Sequence, residues 1–181
     1  MAEDKYFTVD IAGLKRDLLR CPLNDKIDIA AFIMFGDVEL TIHSAKELLK
    51  RLPEFDFIIT PEAKSIPLAY EMSRQSGKQY FVARKKPKVY MKDPVSVNVT
   101  SITTQGVQTL LLDSIEGDII RGKRVILIDD VISTGESLKA IEMLVKKFDC
   151  EIVAKAAVLA EGDSYDRDDI TVLGKLPLIE K

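Results

Sequence analysis

The sequence predicts an α/β fold in which helices flank a parallel β-sheet. Short apolar runs typical of buried strands alternate with segments that have the apolar spacing and capping residues of helices. The 181 residues, 46% of them hydrophobic and 30% charged, are the size and composition of one globular domain. In such sheets, ligands bind in loops at the carboxyl ends of the strands.

Helices and strands are predicted in turn along most of the chain. Glycine and proline separate them, with Pro67 allowed in the first turn of a helix that ends at Gly77. Helical spacing is found in residues 11–20, 41–52, 64–77 and 135–148. Strand-like apolar runs are found in residues 29–35, 55–60, 79–83, 122–130, 151–162 and 170–180.

The segment from Arg84 to Gly106 interrupts this alternation. It is polar, basic at its start and broken by two prolines. Residues 95–102 alternate in polarity and are rich in valine and threonine, so we expect them to pair with residues 107–113 as a hairpin. A segment this long within a compact domain is typical of a functional lid.

Composition excludes several classes of protein. The net charge is −3, which argues against a bulk electrostatic grip on nucleic acid. Cys21 and Cys150 lack the spacing of a zinc site or a disulfide scaffold. The N-terminus lacks the apolar core of a signal peptide and no apolar run reaches ~18 residues, so we expect a cytoplasmic protein without a membrane partner.

The stretch Val125 to Ser137, VILIDDVISTGES, carries the strongest chemical signal. An apolar strand delivers Asp129 and Asp130 to the sheet edge, and a turn with hydroxyl side chains and a glycine then starts an amphipathic helix. Unpaired backbone N–H groups at a helix start form a phosphate seat. Carboxylates beside that seat suit sugar hydroxyls, or a magnesium ion held through water. A phosphorylated ribose would satisfy both halves.

This stretch resembles the 5-phosphoribosyl 1-pyrophosphate (PRPP) signature of the type I phosphoribosyltransferases. The resemblance covers roughly Asp37 to Glu161, and the segments TPEAKSIPLA, FVARKKPK and SITT make the chain similar to the adenine phosphoribosyltransferase branch. It implies a Rossmann-like sheet, a flexible β-hairpin lid and a small N-terminal hood. It also implies one phosphoribosyltransferase domain over residues 1–181, with the hood at about 1–36 and the core at about 37–181.

The resemblance assigns roles to residues of all the loops. It implies that Asp129 and Asp130 hold the ribose hydroxyls and the metal. It gives the 5-phosphate to Ser133, Thr134, Gly135, Glu136 and Ser137, and the pyrophosphate to Glu62, Ala63 and Lys64. The catalytic cations would be Arg84, Lys85 and Lys88, partly across a dimer interface, and the base would contact Phe32, Val131, Ile132 and Glu161.

Several of these residues also have plain structural interpretations. Residues 32–35 suit a core, Glu161 suits a strand end, residues 62–65 suit a helix start, and the basic run suits a solvated loop. The lid departs from the family pattern, because no acid lies between Pro94 and Gly106, where adenine enzymes carry a catalytic glutamate. The hydroxyl groups of Ser101, Thr103 and Thr104 could only orient other groups.

The function implied is a magnesium-dependent purine phosphoribosyltransferase of purine salvage, acting as a homodimer. Adenine is the first candidate base, and hypoxanthine, guanine and xanthine are the rivals. The alternative is a protein that binds PRPP or a nucleotide only as a sensor, which the missing lid acid favours and the retained basic run opposes. A nucleotide-dependent kinase or synthetase subunit would need an ATP site, and the chain has no GxxxxGK[ST] motif.

Overall fold

The computed structural model describes residues 5–101 and 106–181. Eleven strands and four α-helices are assigned within these residues. The strands are β1 (Tyr6–Ile11), β2 (Leu14–Pro22), β3 (Ile27–Ala31), β4 (Phe57–Pro61), β5 (Tyr80–Ala83), β6 (Val95–Ser101), β7 (Gly106–Leu112), β8 (Arg124–Ile132), β9 (Glu151–Glu161), β10 (Thr171–Leu176) and β11 (Leu178–Glu180). The helices are α1 (Val38–Leu49), α2 (Ile66–Ser76), α3 (Ser114–Ile120) and α4 (Glu136–Lys146), with a 3-10 turn at Gly162–Asp166.

A five-stranded parallel sheet forms the centre of the molecule. Its strands lie in the order β10-β9-β8-β4-β5, and every neighbouring pair is parallel. Both of its faces are covered, since nearly every residue of β4 and β8 is buried rather than every second one. The prediction of an α/β fold with a parallel sheet is therefore confirmed.

The predicted helix over residues 11–20 is wrong. These residues form an antiparallel hairpin, in which β1 and β2 are joined by Ala12 and Gly13 at φ angles of 50° and 92°. Two successive residues with positive φ are typical of the tight turn that suits twisted hairpins. Leu14 and Leu18 have helical spacing, but Leu18 packs inward across the sheet with Val9. Residues 14–20 form a strand rather than a helix because they pair with β1.

The strand predicted over residues 170–180 is two strands in two different sheets. β10 ends the parallel sheet, and after Pro177 the chain turns away as β11. β11 pairs with β3, so a four-stranded antiparallel sheet of order β1-β2-β3-β11 is formed from both ends of the chain. We call this four-stranded sheet the hood.

Helix α3 was not predicted, although its start carries a recognisable signal. Asp113 and Glu116 form a reciprocal capping box at its first turn. The other helices lie close to their predicted positions: α1 begins earlier than predicted, because Asp37 caps it by accepting from Leu40 N. Gly77, at φ 72°, ends α2 as predicted.

The predicted hairpin of residues 95–113 is present as β6 and β7, paired antiparallel from Val95–Leu112 to Ser101–Gly106. Its base is fixed to the body of the molecule. Val97, Leu110 and Leu112 are buried in a core shared with α4, and Lys147 Nζ donates to the Ser96 carbonyl. The lid residues Thr103, Thr104 and Gln105, where the family's glutamate would be expected, lie outside the described residues.

Two apolar cores cover the two faces of the parallel sheet. Alternate residues of the same strand enter different cores, as Ile58 and Ile59 of β4 show. The first core joins the sheet to α1, α2 and the hood, and the second joins it to α3, α4 and the β6–β7 hairpin. The strand ends are consequently held rigidly, and the loops after them have fixed starting points.

Gly117 on α3 packs against the ring of Phe148, which is 2% exposed. A methyl group on Gly117 would lie 2.0 Å from Phe148 Cε1. We expect Gly117→Ala to lower the free energy of unfolding by about 1–3 kcal/mol through overpacking, against a helix-propensity gain of about 1 kcal/mol. Urea denaturation of the two proteins would measure the difference in the free energy of unfolding.

The same substitution in a Phe148→Leu background is the control, because the smaller side chain leaves room for the methyl group. We expect it to cost less there than in the native background. An unchanged urea midpoint for the single variant would contradict the packing argument.

Candidate active site

A cavity of about 690 Å³ lies at the carboxyl ends of the parallel strands, under the hood. It receives side chains from the loops after β4, β5 and β8, from the end of β9 and from the hood itself. The predicted site residues on its wall are Phe32, Glu62, Ala63, Lys64, Lys85, Asp129, Asp130, Val131, Ser133, Ser137 and Glu161. Loops distant in sequence therefore meet here, because parallel strands end at one edge of the sheet.

The remaining predicted residues lie beside this cavity. Thr134, Gly135, Glu136 and Ile132 line the small cleft of the turn between β8 and α4. Arg84 and Lys88 flank the cavity, within ion-pair distance of Glu62. Ile132 is only 2% exposed and belongs to the second core, so the structure does not bring it to the main cavity.

Asp129 and Asp130 are adjacent carboxylates almost removed from solvent, at 7% and 3% exposure. Asp129 Oδ1 accepts from Asp130 N at 2.8 Å, which fixes its orientation. Burial and the neighbouring Asp130 raise the pKa of Asp129 above its ordinary value. Burying two adjacent carboxylates lowers the stability of the protein without its ligand. Their oxygens are available to a polar ligand.

Lys64 spans the cavity from the loop after β4 to this carboxylate pair. Its Nζ lies 2.9 Å from Asp130 Oδ2. The contact has the distance of an ion pair without the angles of a hydrogen bond, so Asp130 Oδ2 has no hydrogen-bond donor among the described residues. The lysine side chain is 56% exposed, and it can therefore leave the carboxylate at little desolvation cost.

The turn at residues 133–137 has the features of an anion-binding site, which we call an anion seat. Gly135 adopts φ 79° and the following residues begin α4, and the first N–H groups of a helix have no partner within the helix. Arg167 Nη1 lies 2.6 Å from the position that a Cβ on Gly135 would take, so a guanidinium rests against this turn. Ser164 Oγ donates to the Ser133 carbonyl from the neighbouring 3-10 turn. The turn is thus held by contacts from outside its own loop.

The loop after β4 is a second seat of the same kind. It ends at the start of α2, and its buried hydroxyls fix its shape. Thr60 Oγ1 donates to Ser65 Oγ at 2.7 Å, and Ser65 Oγ donates to the Pro61 carbonyl at 3.2 Å. One cavity therefore combines two helix starts with a buried carboxylate pair and Lys64.

The cation loop, residues 84–88, borders this second seat. Its backbone pairs with the lid hairpin, because Arg84 N and O both bond to Leu111 at 2.8 and 2.9 Å. Lys85 lines the cavity, and its N–H donates to Glu62 Oε2 at 3.0 Å. That hydrogen bond, together with Lys88 and Arg84, keeps the pKa of Glu62 below its ordinary value despite partial burial.

The wall below the hood is mainly apolar and was only partly predicted. Phe32 is 5% exposed and belongs to the first core while also lining the cavity. Burial raises the pKa of Glu161, and the charge of Lys64 opposes this shift. The wall also contains residues from the hood, β4, α2, the hairpin and β10: Ile29, Ala30, Ala31, Ile33, Pro61, Ser65, Leu110 and Leu176. Of these, Ile29, Leu110 and Leu176 had no predicted role in the site.

Within residues 5–101 and 106–181, no three His, Cys, Asp or Glu side chains are grouped closely enough to hold a metal ion. In the same part of the chain, no helix is long and apolar enough to cross a membrane.

The chain is similar to known phosphoribosyltransferases. A family model described as phosphoribosyl transferase domain matches residues 40–176. A hypoxanthine/guanine phosphoribosyltransferase from Methanosarcina mazei is 28% identical over 160 residues, 84% of this chain and 81% of the relative. An adenine phosphoribosyltransferase from Thermotoga sp. strain RQ2 is 32% identical over 133 residues, 68% of this chain and 75% of the relative. An adenine phosphoribosyltransferase structure from Thermoanaerobacter pseudethanolicus has a TM-score of 0.73 at 21% identity, covering 88% of this chain and 95% of that one, and shares the fold.

The raised pKa of Asp129 means that its ionised form destabilises the folded state. This cost is absent near pH 4 and grows as the pH rises above the usual aspartate range. We expect Asp129→Asn to raise the melting temperature at pH 8 in metal-free buffer by about 2 °C or more. The gain should shrink near pH 4, as differential scanning calorimetry at both pH values would show.

Asp56→Asn is the control of opposite sign. Arg124 lowers the pKa of Asp56 to about 2, so its ionised form favours the folded state. We expect that substitution to lower the melting temperature at pH 8. A lower melting temperature for Asp129→Asn as well would contradict the electrostatic account.

Proposed function

Because the chain belongs to the phosphoribosyl transferase domain family, we propose that it is a purine phosphoribosyltransferase of cytoplasmic purine salvage. This pentosyltransferase would join a purine base to ribose 5-phosphate taken from PRPP. The observation that supports the proposal most directly is a single cavity that places a buried carboxylate pair between two anion seats. PRPP has two anionic groups separated by a ribose with free hydroxyls, which is the matching arrangement.

The proposed binding mode assigns one part of PRPP to each loop. The 5-phosphate takes the turn of residues 133–137 and binds its backbone N–H groups and hydroxyls. The ribose hydroxyls donate to the buried Asp129 and Asp130. The pyrophosphate takes the seat formed by the loop after β4, where Lys64 and Lys85 offer positive charge. Lys64 exchanges Asp130 for pyrophosphate as PRPP enters.

The chemistry proposed is a displacement at the anomeric carbon with inversion. A ring nitrogen of the base forms the new C–N bond, the C–O bond to pyrophosphate breaks, and the base loses its N–H proton, which is released to solvent with the products. The side chains form no covalent bond to the substrate; they align the base, stabilise the departing charge and exclude water. The β6–β7 hairpin, fixed at its base, is positioned to cover the cavity, and Leu110 already lines it.

Magnesium fits this site as an ion that arrives with PRPP. Carboxylate oxygens and water are its preferred ligands, and Asp130 Oδ2 is a buried oxygen without a hydrogen-bond donor among the described residues. Asp129 and Asp130 would hold the ion, partly through water. When bound, it supplies positive charge against the pyrophosphate.

The base is proposed to lie between Phe32, Val131 and Glu161 under the hood. Phe32 offers an apolar ring and Glu161 a hydrogen-bond acceptor. Adenine remains the first candidate, and hypoxanthine, guanine and xanthine are the rivals, because the curated relatives divide between adenine and hypoxanthine/guanine enzymes.

A homodimer belongs to the same proposal. Phe35, Val38, Ile42 and Tyr70 are large apolar side chains that are 42–67% exposed, and they lie at or near the groove between α1 and α2. Exposed apolar patches of this kind are typical of protein interfaces.

The test of the function is pyrophosphate release from PRPP and magnesium, with adenine, hypoxanthine, guanine, xanthine and uracil offered separately. We expect release with a purine and none with uracil or without a base. PRPP binding in calorimetry without release for any purine would contradict the transferase and favour a sensor.

Lys85→Ala is expected to lower kcat more than it weakens PRPP binding, because the lysine would act mainly on the charge that develops as pyrophosphate leaves. We expect kcat to fall about tenfold or more and the PRPP dissociation constant to change less than about threefold. Lys86→Ala is the matched control, since Lys86 is exposed and does not line the cavity. An effect of Lys85→Ala confined to PRPP affinity would contradict this role.

A further inference from the structure

Glu62 contacts three residues of the cation loop and the end of the strand that precedes it. Its N–H donates to the Ala83 carbonyl at 2.9 Å, and its Oε2 accepts from Lys85 N at 3.0 Å. Its Oε1 lies 3.6 Å from Arg84 Nη1 and 3.8 Å from Lys88 Nζ. One residue thus holds the strand end and the cation loop through both its main chain and its side chain.

We propose that Glu62 is a positioning residue that anchors the cation loop and directs Lys85 into the cavity, rather than a ligand of the substrate. The inference rests on the proposed function, in which Lys85 meets the departing pyrophosphate. It differs from the sequence interpretation, which placed Glu62 among the residues that bind PRPP.

Charge argues against direct binding of PRPP by the Glu62 side chain. A carboxylate in contact with pyrophosphate would repel it. The hydrogen bond from Lys85 N, with Lys88 and Arg84 nearby, keeps the pKa of Glu62 low, so the group carries its negative charge at neutral pH. One carboxylate oxygen is already engaged by the Lys85 N–H. The Glu62 side chain therefore interacts with the cation loop and not with the pyrophosphate.

The two kinds of contact at Glu62 differ in strength. A charge-assisted hydrogen bond such as the one at 3.0 Å persists, whereas ion pairs of 3.6 and 3.8 Å between partly exposed groups are weak. Pyrophosphate can take Arg84 and Lys88 away from Glu62 while the backbone anchor at Lys85 stays. Glu62 would thus keep these two cations near the seat until their substrate arrives.

The anchor also extends to the lid hairpin. Arg84 is paired through its backbone with Leu111 of β7, on the side of the cation loop opposite Glu62. The cation loop is consequently fixed between the loop after β4 and the hairpin. Without Glu62, we expect Lys85 to keep its charge and lose its fixed direction.

Steady-state kinetics of Glu62→Gln and Glu62→Ala separate the anchor from the charge. The glutamine retains an oxygen that can accept from Lys85 N–H, so kcat should stay within about threefold of the unmodified protein. The alanine removes the acceptor, so kcat should fall about tenfold or more, while PRPP affinity changes less than about threefold. Equal losses of kcat in the two variants, or a loss of PRPP affinity as large as that of kcat, would overturn the proposal.

A double-mutant cycle tests whether Glu62 acts through Lys85. If it does, Glu62→Ala with Lys85→Ala should have the kcat of Lys85→Ala alone within about twofold. Losses that multiply would overturn the proposal. Glu71→Ala is the control, because Glu71, with 8% of its side chain exposed against 22% for Glu62, is a carboxylate paired with Arg74 outside this cavity. We expect it to leave kcat unchanged.

Amide hydrogen exchange provides a readout independent of turnover. Exchange of the Lys85 N–H should accelerate about tenfold or more in Glu62→Ala relative to Glu62→Gln, as lost protection implies. An unchanged rate would overturn the anchor. If the unmodified protein releases no pyrophosphate with any purine, the proposed function fails. Exchange of the Lys85 N–H still tests, independently, whether Glu62 anchors the cation loop.

Discussion

The ion pair between Lys64 and Asp130 is the contact on which the organisation of the cavity depends. Two adjacent carboxylates are held inside a largely apolar fold, next to helix starts that attract anions. Such a cluster is stable only if opposite charge is close, and Lys64 supplies that charge from a different loop. Because the Lys64 side chain is half exposed, it can move from Asp130 to another negative group at modest cost in free energy.

The loops around the cavity are also held in place by hydrogen bonds. The attraction between opposite charges depends on their separation. Hydrogen bonds of Ser65 and Ser164 hold the two anion seats in position and so maintain that separation. Arg167 presses a guanidinium against Gly135, where any side chain would prevent the contact. The residues that hold these loops in place therefore also set the positions of the charged groups. Substitutions there should affect both stability and ligand affinity.

Much of the fold could be predicted because its signals are local. Apolar runs, glycine ends and capping residues located the parallel strands and three of the helices. The first hairpin could not be predicted in this way, because Leu14 and Leu18 fit a helix as well as a strand and only pairing with β1 decides. The division of the last strand at Pro177 likewise depends on β3, which is far away in sequence.

The polar half of the site could be predicted for a related reason. Loops after parallel strands must meet, so the residues of three separate motifs were expected to be neighbours, and their side chains do line one cavity. The part of the apolar wall formed by Ile29 and Leu176 could not be predicted, because these residues become wall residues only through the packing of the hood on β10. Ile132 shows the limit of motif reasoning. It follows Val131 directly, yet strand alternation sends it into the second core.

The pairing of β11 with β3 makes one wall of the cavity depend on contacts between distant parts of the chain. Ile29 pairs with Leu178, so closing this sheet requires a loop of about 150 residues to form, at an entropic cost of several kcal/mol. Such non-local contacts form late in folding. β1, β2 and β3 are neighbours in sequence and can pair early, whereas β11 joins them only after all the parallel strands have been synthesised. The hood, and the cavity wall that it forms, are therefore completed after the loops that follow β4, β5 and β8.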